Sequence, residues 1–253
     1  MTRTVLVTGG SKRIGAAITS RLAKEGWRVA IHYHHHPVDA RELARAIGGD
    51  AVILQGDLSD PAAAERLPAE AAALLGAPLD AVVNNASVFE FNRANDFSVE
   101  DFRRDETINL LSPALIARAF AKSVPAGRTG AVVNILDQKL WNLNADFFTY
   151  TISKIGLEGA TRLLARALAP AVRVNAVAPG LTLPSGAQTE EDFRAVAGKY
   201  NLMKRPIDIA EVAGAVSFLL NNSAVTGQTI IADNGQHMVA SDQDVMFSTR
   251  GHA

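Results

Sequence analysis

The sequence has 253 residues, of which 48% are apolar and 20% charged, and it contains no cysteine. The lack of cysteine excludes a disulfide scaffold, a thiolate nucleophile and a zinc site with Cys ligands. The 25 basic and 26 acidic residues nearly cancel, which argues against nucleic acid or an acidic membrane surface as the main partner. No apolar run approaches the roughly 18 residues of a membrane span, and residues 1–3 leave no room for a signal peptide before the first apolar run. We therefore expect a soluble, cytoplasmic enzyme or binding protein.

Short apolar runs recur along the chain and predict strands. The runs are nearly continuous, as expected for strands that are buried on both faces of a parallel sheet. They lie at residues 4–8, 28–33, 51–55, 79–84, 131–136, 172–177 and 228–232.

Segments rich in Ala, Leu, Arg and Glu separate these strands and predict helices. Pro68 is expected to break or kink the third of them. The predicted helices span residues 14–25, 39–47, 60–75, 99–122, 149–168 and 209–220.

The alternation of strands and helices predicts the fold. It indicates an α/β single-domain Rossmann fold over residues 1–253, with a doubly wound, seven-stranded parallel sheet and helices on both faces. Residues 180–205 have little pattern and follow a strand, which makes them a candidate substrate loop. Residues 233–253 form a C-terminal tail after the last strand.

The first strand runs into the sequence TGGSKRIG at residues 8–15, and a helix follows. Glycines let the backbone approach a pyrophosphate, and the helix N-terminus supplies free N–H groups. Arg13 stands where a third glycine is common, and its guanidinium is expected to bind a phosphate or the substrate. This loop predicts a nucleotide site.

Tyr150 and Lys154 lie four residues apart at the start of a predicted helix. Positions i and i+4 share one helical face, so the hydroxyl and the ammonium can converge. A nearby cation favours tyrosinate and is expected to lower the pKa of Tyr150. Tyr150 is therefore a candidate proton donor or acceptor.

Together these motifs resemble the short-chain dehydrogenase/reductase family over essentially the whole chain. The resemblance implies a nicotinamide cofactor, with Asp57 near the adenine and Asn85 near the adenine ribose. It also implies that Asn109 joins a water-linked proton relay with Lys154, whose ammonium holds the nicotinamide ribose. The residues that carry the resemblance are Thr8, Gly9, Gly15, Asp57, Leu58, Asn84, Asn85, Ala86, Asn109, Tyr150, Lys154, Asn175, Pro179 and Gly180.

One position departs from the usual family pattern. Where most members carry a Ser that donates to a substrate carbonyl, this chain has Asp137. An ionised carboxylate cannot donate, and it repels a developing oxyanion. The pteridine reductase branch of the family, which includes bacterial dihydromonapterin reductases, resembles this chain at that position and in its Arg13 and Phe89 segments. The resemblance implies that Phe89 stacks on a pterin and that Ser87 and Arg13 contact it.

Two of these residues have simpler interpretations. Phe89 could pack in a hydrophobic cluster, and Asp137 could be a turn residue without chemistry.

The end of the second predicted strand bears on the choice of cofactor. It holds Tyr33 and a run of histidines. In sites that bind NAD, an acid near this position binds both hydroxyls of the adenine ribose, but this chain has no acid here before Asp39. Histidines can donate to a 2′-phosphate, so NADPH is the predicted cofactor. Neighbouring residues on a strand point to opposite faces, so we predict no metal site at residues 32–36.

These interpretations define the candidate site. The predicted catalytic residues are Asp137, Tyr150, Lys154 and Asn109. The predicted substrate contacts are Arg13, Ser87, Phe89, Asp137 and Tyr150. The predicted cofactor contacts are Gly9, Ser11, Arg13, Ile14, Gly15, Tyr33, His34, His35, Asp57, Leu58, Asn85, Ala86, Tyr150, Lys154, Pro179 and Gly180.

Three functions remain open on the sequence. The first is NADPH-dependent reduction of a pterin, and the second is NADPH-dependent reduction of a carbonyl such as a 3-oxoacyl group, a ketone or a sugar. The third is a regulatory nucleotide-binding protein without turnover. Resemblance further implies a homotetramer that pairs the helices at 99–122 and 149–168. The apolar residues of the tail are expected to dock on a neighbouring subunit.

Overall fold

The computed structural model describes residues 2–184 and 188–247. Within them, seven parallel strands form one sheet in the order β3-β2-β1-β4-β5-β6-β7. The predicted doubly wound sheet is confirmed. The strand order reverses between β1 and β4, and in such sheets this reversal opens a crevice at the carboxyl ends of the strands. The strands are β1 Thr4–Val7, β2 Arg28–Tyr33, β3 Val52–Gln55, β4 Ala81–Asn84, β5 Gly130–Ile135, β6 Val172–Pro179 and β7 Thr229–Ala232.

Helices cover both faces of the sheet. Because neighbouring residues on a strand point to opposite faces, Val5 and Val7 pack on one side while Leu6 packs on the other. Helices α1 and α8 pack together on the first side, and α3 and α5 pack together on the second. Within the described ranges, no helix is both long and apolar enough to cross a bilayer. The helices are α1 Arg13–Lys24, α2 Pro37–Ile47, α3 Pro61–Leu75, α4 Val99–Glu106, α5 Ser112–Ser123, α6 Phe148–Leu168, α7 Glu190–Ala197 and α8 Ile209–Asn221.

Helix α3 runs without a break through Pro68, so of the predicted break or kink the break is wrong. A proline inside a helix costs about 3 kcal/mol through the lost hydrogen bond and steric conflict. Here Pro68 lies on the buried face of α3, together with Leu67, Ala71 and Leu75. This face packs on the sheet. Burial of each leucine contributes about 1.5–3 kcal/mol, enough together to offset that cost.

The predicted helix 99–122 is wrong in one respect, because a π-helical turn at Thr107–Leu111 divides it into α4 and α5. A π-turn inserts one extra residue into the helix, and such turns are frequent at functional sites. The apolar pattern continues across the turn, so the sequence predicts one unbroken helix.

A helix also replaces part of the segment 180–205, which the sequence predicts as a loop. Helix α7 begins at a capping box, in which the Thr189 hydroxyl accepts from the Asp192 N–H and the Asp192 carboxylate accepts from the Thr189 N–H. Its buried face carries Phe193, Val196 and Ala197.

His32, on β2, connects two loops at the crevice. Its Nδ1 accepts the Gly9 N–H at 3.0 Å, so its Nε2 carries the proton and donates to the Gly56 carbonyl at 3.1 Å. The ring is almost fully buried. Burial lowers the pKa of His32 to about 4, with a smaller contribution from His34 and an opposing one from the bond to Gly56.

The His32 pKa predicts a pH dependence of stability. Above pH 6.5, the usual pKa, the ring is neutral in both folded and unfolded chains and contributes nothing. Between pH 6.5 and about 4 the unfolded chain binds the extra proton, so stability falls as the pH falls, by about 3 kcal/mol in total. Denaturant unfolding measured from pH 7 to 4 should show this loss, and His32→Gln, which keeps an N–H donor, should show less of it. An NMR titration that places the His32 pKa near 6.5 would contradict the assignment.

Candidate active site

A cavity of about 480 Å³ lies at the carboxyl ends of the strands. It brings together most of the predicted site. The predicted residues that line it are Gly9, Arg13, Ile14, Gly15, His34, Asp57, Leu58, Asn85, Ala86, Ser87, Phe89, Asp137, Tyr150, Lys154, Pro179 and Gly180. Four predicted residues do not line it: Ser11, Tyr33, His35 and Asn109.

The loop between β1 and α1 is shaped as an anion cradle. Gly9 adopts a φ of +58°, and a Cβ on Gly15 would lie 2.1 Å from the Gly9 carbonyl oxygen, so a side chain cannot fit there. The Asn85 amide fixes the loop by donating to the carbonyls of Thr8 at 2.9 Å and Gly9 at 3.0 Å. Helix α1 then begins without a side-chain cap and without an acid in its first turn. Its free N–H groups and positive dipole end suit a phosphate.

Arg13 occupies a strained position in this loop. Its φ is +52°, a left-handed conformation that explains why glycine is common here. The exposed guanidinium donates to the Pro184 carbonyl at 2.8 Å. Arg13 therefore connects the glycine loop to the segment that follows β6.

Basic groups surround the end of β2, where NAD-binding relatives place an acid. His34 lines the cavity, with its Nε2 3.6 Å from the Asp57 carboxylate. Hydrogen bonds from Ser59 lower the pKa of Asp57, and the nearby histidines lower it further. Lys12 also lines the cavity and pairs with Asp39 at 2.9 Å. In the described part of the chain, no cluster of three or more His, Asp or Glu side chains could hold a metal ion.

The centre of the site is a hydrogen bond between two predicted catalytic residues. The Tyr150 hydroxyl, near the start of α6, donates to Asp137 Oδ2 at 2.8 Å. The other carboxylate oxygen accepts the Lys139 N–H at 2.8 Å, so Asp137 caps the short 3₁₀ turn Gln138–Trp141. Because the turn precedes α6 and follows β5, this bond joins two elements at the crevice.

Burial changes the acidity of both partners. Burial raises the pKa of Asp137, while the hydrogen bonds from Lys139 and Tyr150 partly oppose this. The pKa of Tyr150 is raised well above its usual value, first by burial and then by the Asp137 charge. The predicted lowering of the Tyr150 pKa by Lys154 is therefore wrong for the chain without cofactor. Tyr150 keeps its proton, as a proton donor must.

Lys154 lies beneath this pair. Its ammonium donates to the Ile135 carbonyl at 2.8 Å and lies 5.7 Å from the centre of the Tyr150 ring. Burial lowers the pKa of Lys154 to about 8, against an opposing effect of Asp137. Its side chain is thus close to Tyr150 without bonding its hydroxyl.

Asn109 lies in the π-turn and is completely buried. Its amide oxygen accepts from the Ser87 hydroxyl at 3.0 Å and the Val88 N–H at 2.9 Å. Its amide nitrogen donates to the Val88 carbonyl and the Ser153 hydroxyl, each at 3.0 Å. The extra residue of the turn lets Asn109 hold the loop after β4 against α6. The hydroxyl of Ser87, predicted to contact substrate, is engaged with Asn109.

An aromatic cluster flanks the Tyr150–Asp137 pair. Phe89 stacks on Phe147, with ring centres 3.9 Å apart, and meets Tyr150 edge-on at 4.7 Å. Phe147 itself is buried with a φ of +57°, an unusual conformation for a phenylalanine. Phe89 is therefore both a cluster residue and a cavity wall, so the two interpretations of its role are compatible.

The C-terminal tail contributes residues that the sequence analysis did not assign. Asp244, Val245 and Met246 line the cavity of the same chain. Of the apolar tail residues expected to dock on a neighbouring subunit (Met238, Val245, Met246 and Phe247), Val245 is buried by its own chain and Met238 is exposed. The docking itself stays a prediction. No local pattern marks these contacts, because they depend on the tail folding back over the sheet. Residues 248–253 lie outside the described part of the chain.

Other unassigned residues line the cavity as well. Gln138, Gln236 and residues 181–183 belong to the loops after β5, β7 and β6. The sequence predicts 180–205 as the substrate loop, and its first residues do lie at the cavity, whereas residues 185–187 are outside the described ranges.

Comparison with known proteins agrees with this geometry. A family model described as enoyl-(acyl carrier protein) reductase, one of the short-chain dehydrogenase/reductase models, matches residues 9–237. The crystal structure of FolM alternative dihydrofolate reductase 1 from Brucella canis, complexed with NADP, is 39% identical and superposes with a TM-score of 0.87 over 93% of this chain and 94% of that one.

Curated relatives include enzymes with different descriptions. Pteridine reductase 1 from Leishmania tarentolae is 32% identical, over 91% of this chain and 94% of its own. The chloroplastic NADPH-dependent aldehyde reductase 2 from Arabidopsis thaliana is 29% identical, over 92% and 93%. The match to the family model over most of the chain, together with the sheet and the Tyr150–Lys154 pair, leads to one conclusion: the chain belongs to the short-chain dehydrogenase/reductase family of oxidoreductases.

Proposed function

We propose that this protein is an NADPH-dependent reductase that acts on a pterin, either oxidised or dihydro. The observation that carries the proposal is the 2.8 Å hydrogen bond from Tyr150 to Asp137. A carboxyl group at this position is unsuited to holding a carbonyl oxygen, since it repels the developing negative charge. It suits a substrate whose ring offers N–H donors and whose C=N nitrogen needs a proton. The similarity to a FolM reductase and to a pteridine reductase supports the same substrate class.

The residues of the chain supply the proton and the positioning. Tyr150 keeps its proton because its pKa is raised, and in the proposed reaction it donates that proton to the ring nitrogen. Asp137 orients the hydroxyl and, since burial raises its pKa, can itself carry a proton closer to neutral pH. The cofactor, when bound, supplies the hydride for the ring carbon. Hydride and proton together reduce one C=N bond.

The cavity fits a dinucleotide phosphate. The uncapped start of α1 offers free N–H groups to a pyrophosphate, and the close packing of Gly15 against Gly9 shapes the loop beside them. Near the end of β2, Lys12 from the glycine loop and His34 offer positive charge or N–H donors for a 2′-phosphate. In this proposal the Lys154 ammonium holds the nicotinamide ribose. The side-chain amide of Asn109 already makes four hydrogen bonds to the protein, so the expected water-linked relay with Lys154 does not run through that amide.

An aromatic wall fits a flat substrate. Phe89 is fixed by stacking on Phe147, so its ring is held in place before a substrate binds. Stacking on a fixed ring contributes affinity without directional demands, while Asp137 and Arg13 provide the polar contacts that orient the heterocycle.

We also propose a homotetramer that pairs α4, α5 and α6 between subunits. Exposed apolar side chains on these helices support it, namely Leu111, Ile152, Ile155 and Leu163.

The first functional prediction concerns Asp137. Asp137→Asn keeps the shape but removes the acid, and it should reduce turnover of dihydropterins by about 100-fold or more with NADPH affinity unchanged. Asp137→Ser should lose pterin reduction equally and gain ketone reduction, since a hydroxyl can donate to an oxyanion. Tyr150→Phe removes the proton donor, so its residual turnover of dihydropterins is the reference for complete loss of activity. NADPH oxidation with a panel of dihydropterins, dihydrofolate and small ketones measures all of these.

Two results would count against this function. If the wild-type protein reduces no pterin in the panel, carbonyl reduction takes its place. If both Asp137 variants keep full pterin activity, Asp137 has only a structural role.

The second prediction concerns cofactor choice. Fluorescence titration should show NADPH binding at least about tenfold tighter than NADH, since no acid at the end of β2 repels the 2′-phosphate. His34→Asp should reduce or reverse this preference. His36→Asp introduces the same charge at a position that does not line the cavity and is the matched control. Equal affinity of the wild-type protein for both cofactors would refute the assignment.

The third prediction concerns Lys154, whose pKa is about 8. The charged ammonium donates more strongly to ribose hydroxyls than the neutral amine does, so NADPH affinity should fall as the pH rises through about 8. The dissociation constant measured from pH 6 to 10 should show this loss, and Lys154→Met should bind more weakly with a flat profile over the same range. A wild-type profile that is flat to pH 10 would be inconsistent with this role.

A further inference from the structure

Residues 236–247, here called the tail clasp segment, contribute part of the wall of the cavity. Two short 3₁₀ turns, Gln236–Met238 and Val245–Phe247, shape the segment. Asp244, Val245 and Met246 line the cavity, and Phe247 packs against the rings of Phe91 and Phe147. The segment is thus one wall of the site, although its residues are distant in sequence from the glycine loop.

An ion pair between the buried Lys139 and the partly buried Asp244 holds this segment against the turn that follows Asp137. Lys139 is only 3% exposed, and its ammonium lies 3.3 Å from Asp244 Oδ2 and also donates to Asn144 Oδ1. The backbone N–H of the same lysine donates to Asp137 Oδ1 at 2.8 Å. One residue therefore bonds both the predicted catalytic carboxylate and the tail clasp segment. A buried ammonium is costly without a counter-charge, and Asp244 supplies that charge.

Further contacts hold the segment from its other side. The Asp244 N–H donates to Asp146 Oδ2 at 2.9 Å, and Asp146 in turn pairs with Arg93 at 2.9 Å. Nearer the start of the segment, Asn142 donates to the Val239 carbonyl at 2.8 Å. The segment is anchored at both ends to the loop between β5 and α6.

We propose that the Lys139–Asp244 pair seats the tail clasp segment as a wall of the substrate cavity, so that Val245 and Met246 select the substrate. Lys139 and Asp244 are positioning residues, and the two apolar side chains are the specificity elements. The inference rests on the proposed function only for the choice of assay substrate.

The pair also controls the charge beside Asp137. Four charged or titratable side chains face that carboxyl: Tyr150 and Lys154 from α6, Lys139 from the turn and Asp244 from the tail clasp segment. Asp244 raises the pKa of Asp137 and Lys139 lowers it. Removing the Asp244 charge takes away an anion and frees a cation, and both changes lower the Asp137 pKa. A purely structural anchor would not shift the pH profile in this direction.

The central variant is Asp244→Asn, which keeps the shape of the side chain and removes its charge. We expect faster hydrogen exchange over residues 236–247, a KM for substrate raised about tenfold and a kcat and NADPH affinity changed less than about twofold. The limb of the kcat/KM profile that reports Asp137 should move to lower pH. Asp242→Asn makes the same charge change at an exposed position of the same segment and should leave all these quantities unchanged.

Met246→Ala tests selection separately from anchoring. It should leave exchange over the segment unchanged while altering the ratio of kcat/KM between a small and a large substrate. If Asp244→Asn unfolds the protein, the full-length double variant Lys139→Met/Asp244→Asn removes the cation together with its counter-charge. That variant should bind NADPH normally and lose discrimination between substrates.

Several outcomes would overturn the proposal. The first is equal hydrogen exchange over residues 236–247 in Asp244→Asn and Asp242→Asn. The second is an unchanged KM in Asp244→Asn despite faster exchange. The third is an unchanged ratio of kcat/KM between the small and the large substrate in Met246→Ala or in the double variant. Hydrogen exchange over residues 236–247 is measured without substrate, so it tests the anchoring of the segment even if the protein reduces no pterin. In that case the proposed function fails, and the KM and ratio measurements proceed with the aldehyde or ketone that is turned over.

Discussion

The carboxyl group of Asp137 is held from two directions, by the hydroxyl of Tyr150 and by the backbone of Lys139. The first bond ties it to α6, and the second sets the turn that leads from β5 toward that helix. Removing a carboxyl group from water is costly, and hydrogen bonds to both of its oxygens are what makes the position tolerable. The rest of the site is arranged around that requirement: the Phe89 wall, the ammonium of Lys154 and the residues that cover the cavity.

The sheet provides the rigidity that this arrangement needs. Asn84 on β4 donates to Asn134 on β5 at 2.9 Å, and Asn134 donates to Thr161 of α6 at the same distance. These amides are buried, so each must find a partner, and the partners fix α6 against the sheet. Helix α6 carries Tyr150 and Lys154 at its start, and the register of the central strands is thereby transmitted to the reacting groups.

The sequence predicts those features that local pattern controls. Continuous apolar runs predict all seven strands, and the spacing of Tyr150 and Lys154 predicts their shared face. Helix α7 is not predicted, because the segment around it has too little apolar periodicity to suggest a helix.

Other features depend on contacts between distant residues. Lys139 and Asp244 are 105 positions apart, so no window of sequence could pair them. The acidity of Tyr150 follows from burial and from a carboxylate on another loop, which outweigh the lysine on its own helix. The π-turn around Asn109 interrupts an apolar pattern that itself shows no break.

The left-handed backbone of Arg13 has a consequence for the connection between the glycine loop after β1 and the segment after β6. A residue with a side chain pays about 1–3 kcal/mol for such a conformation, which glycine would avoid. In return, the Arg13 guanidinium donates a hydrogen bond to the Pro184 carbonyl, in the segment after β6. This hydrogen bond joins the loop that cradles phosphate to the segment after β6. Since linkage between two binding events is reciprocal, whatever coupling this contact creates acts equally on both ligands, without any change in the sheet between them.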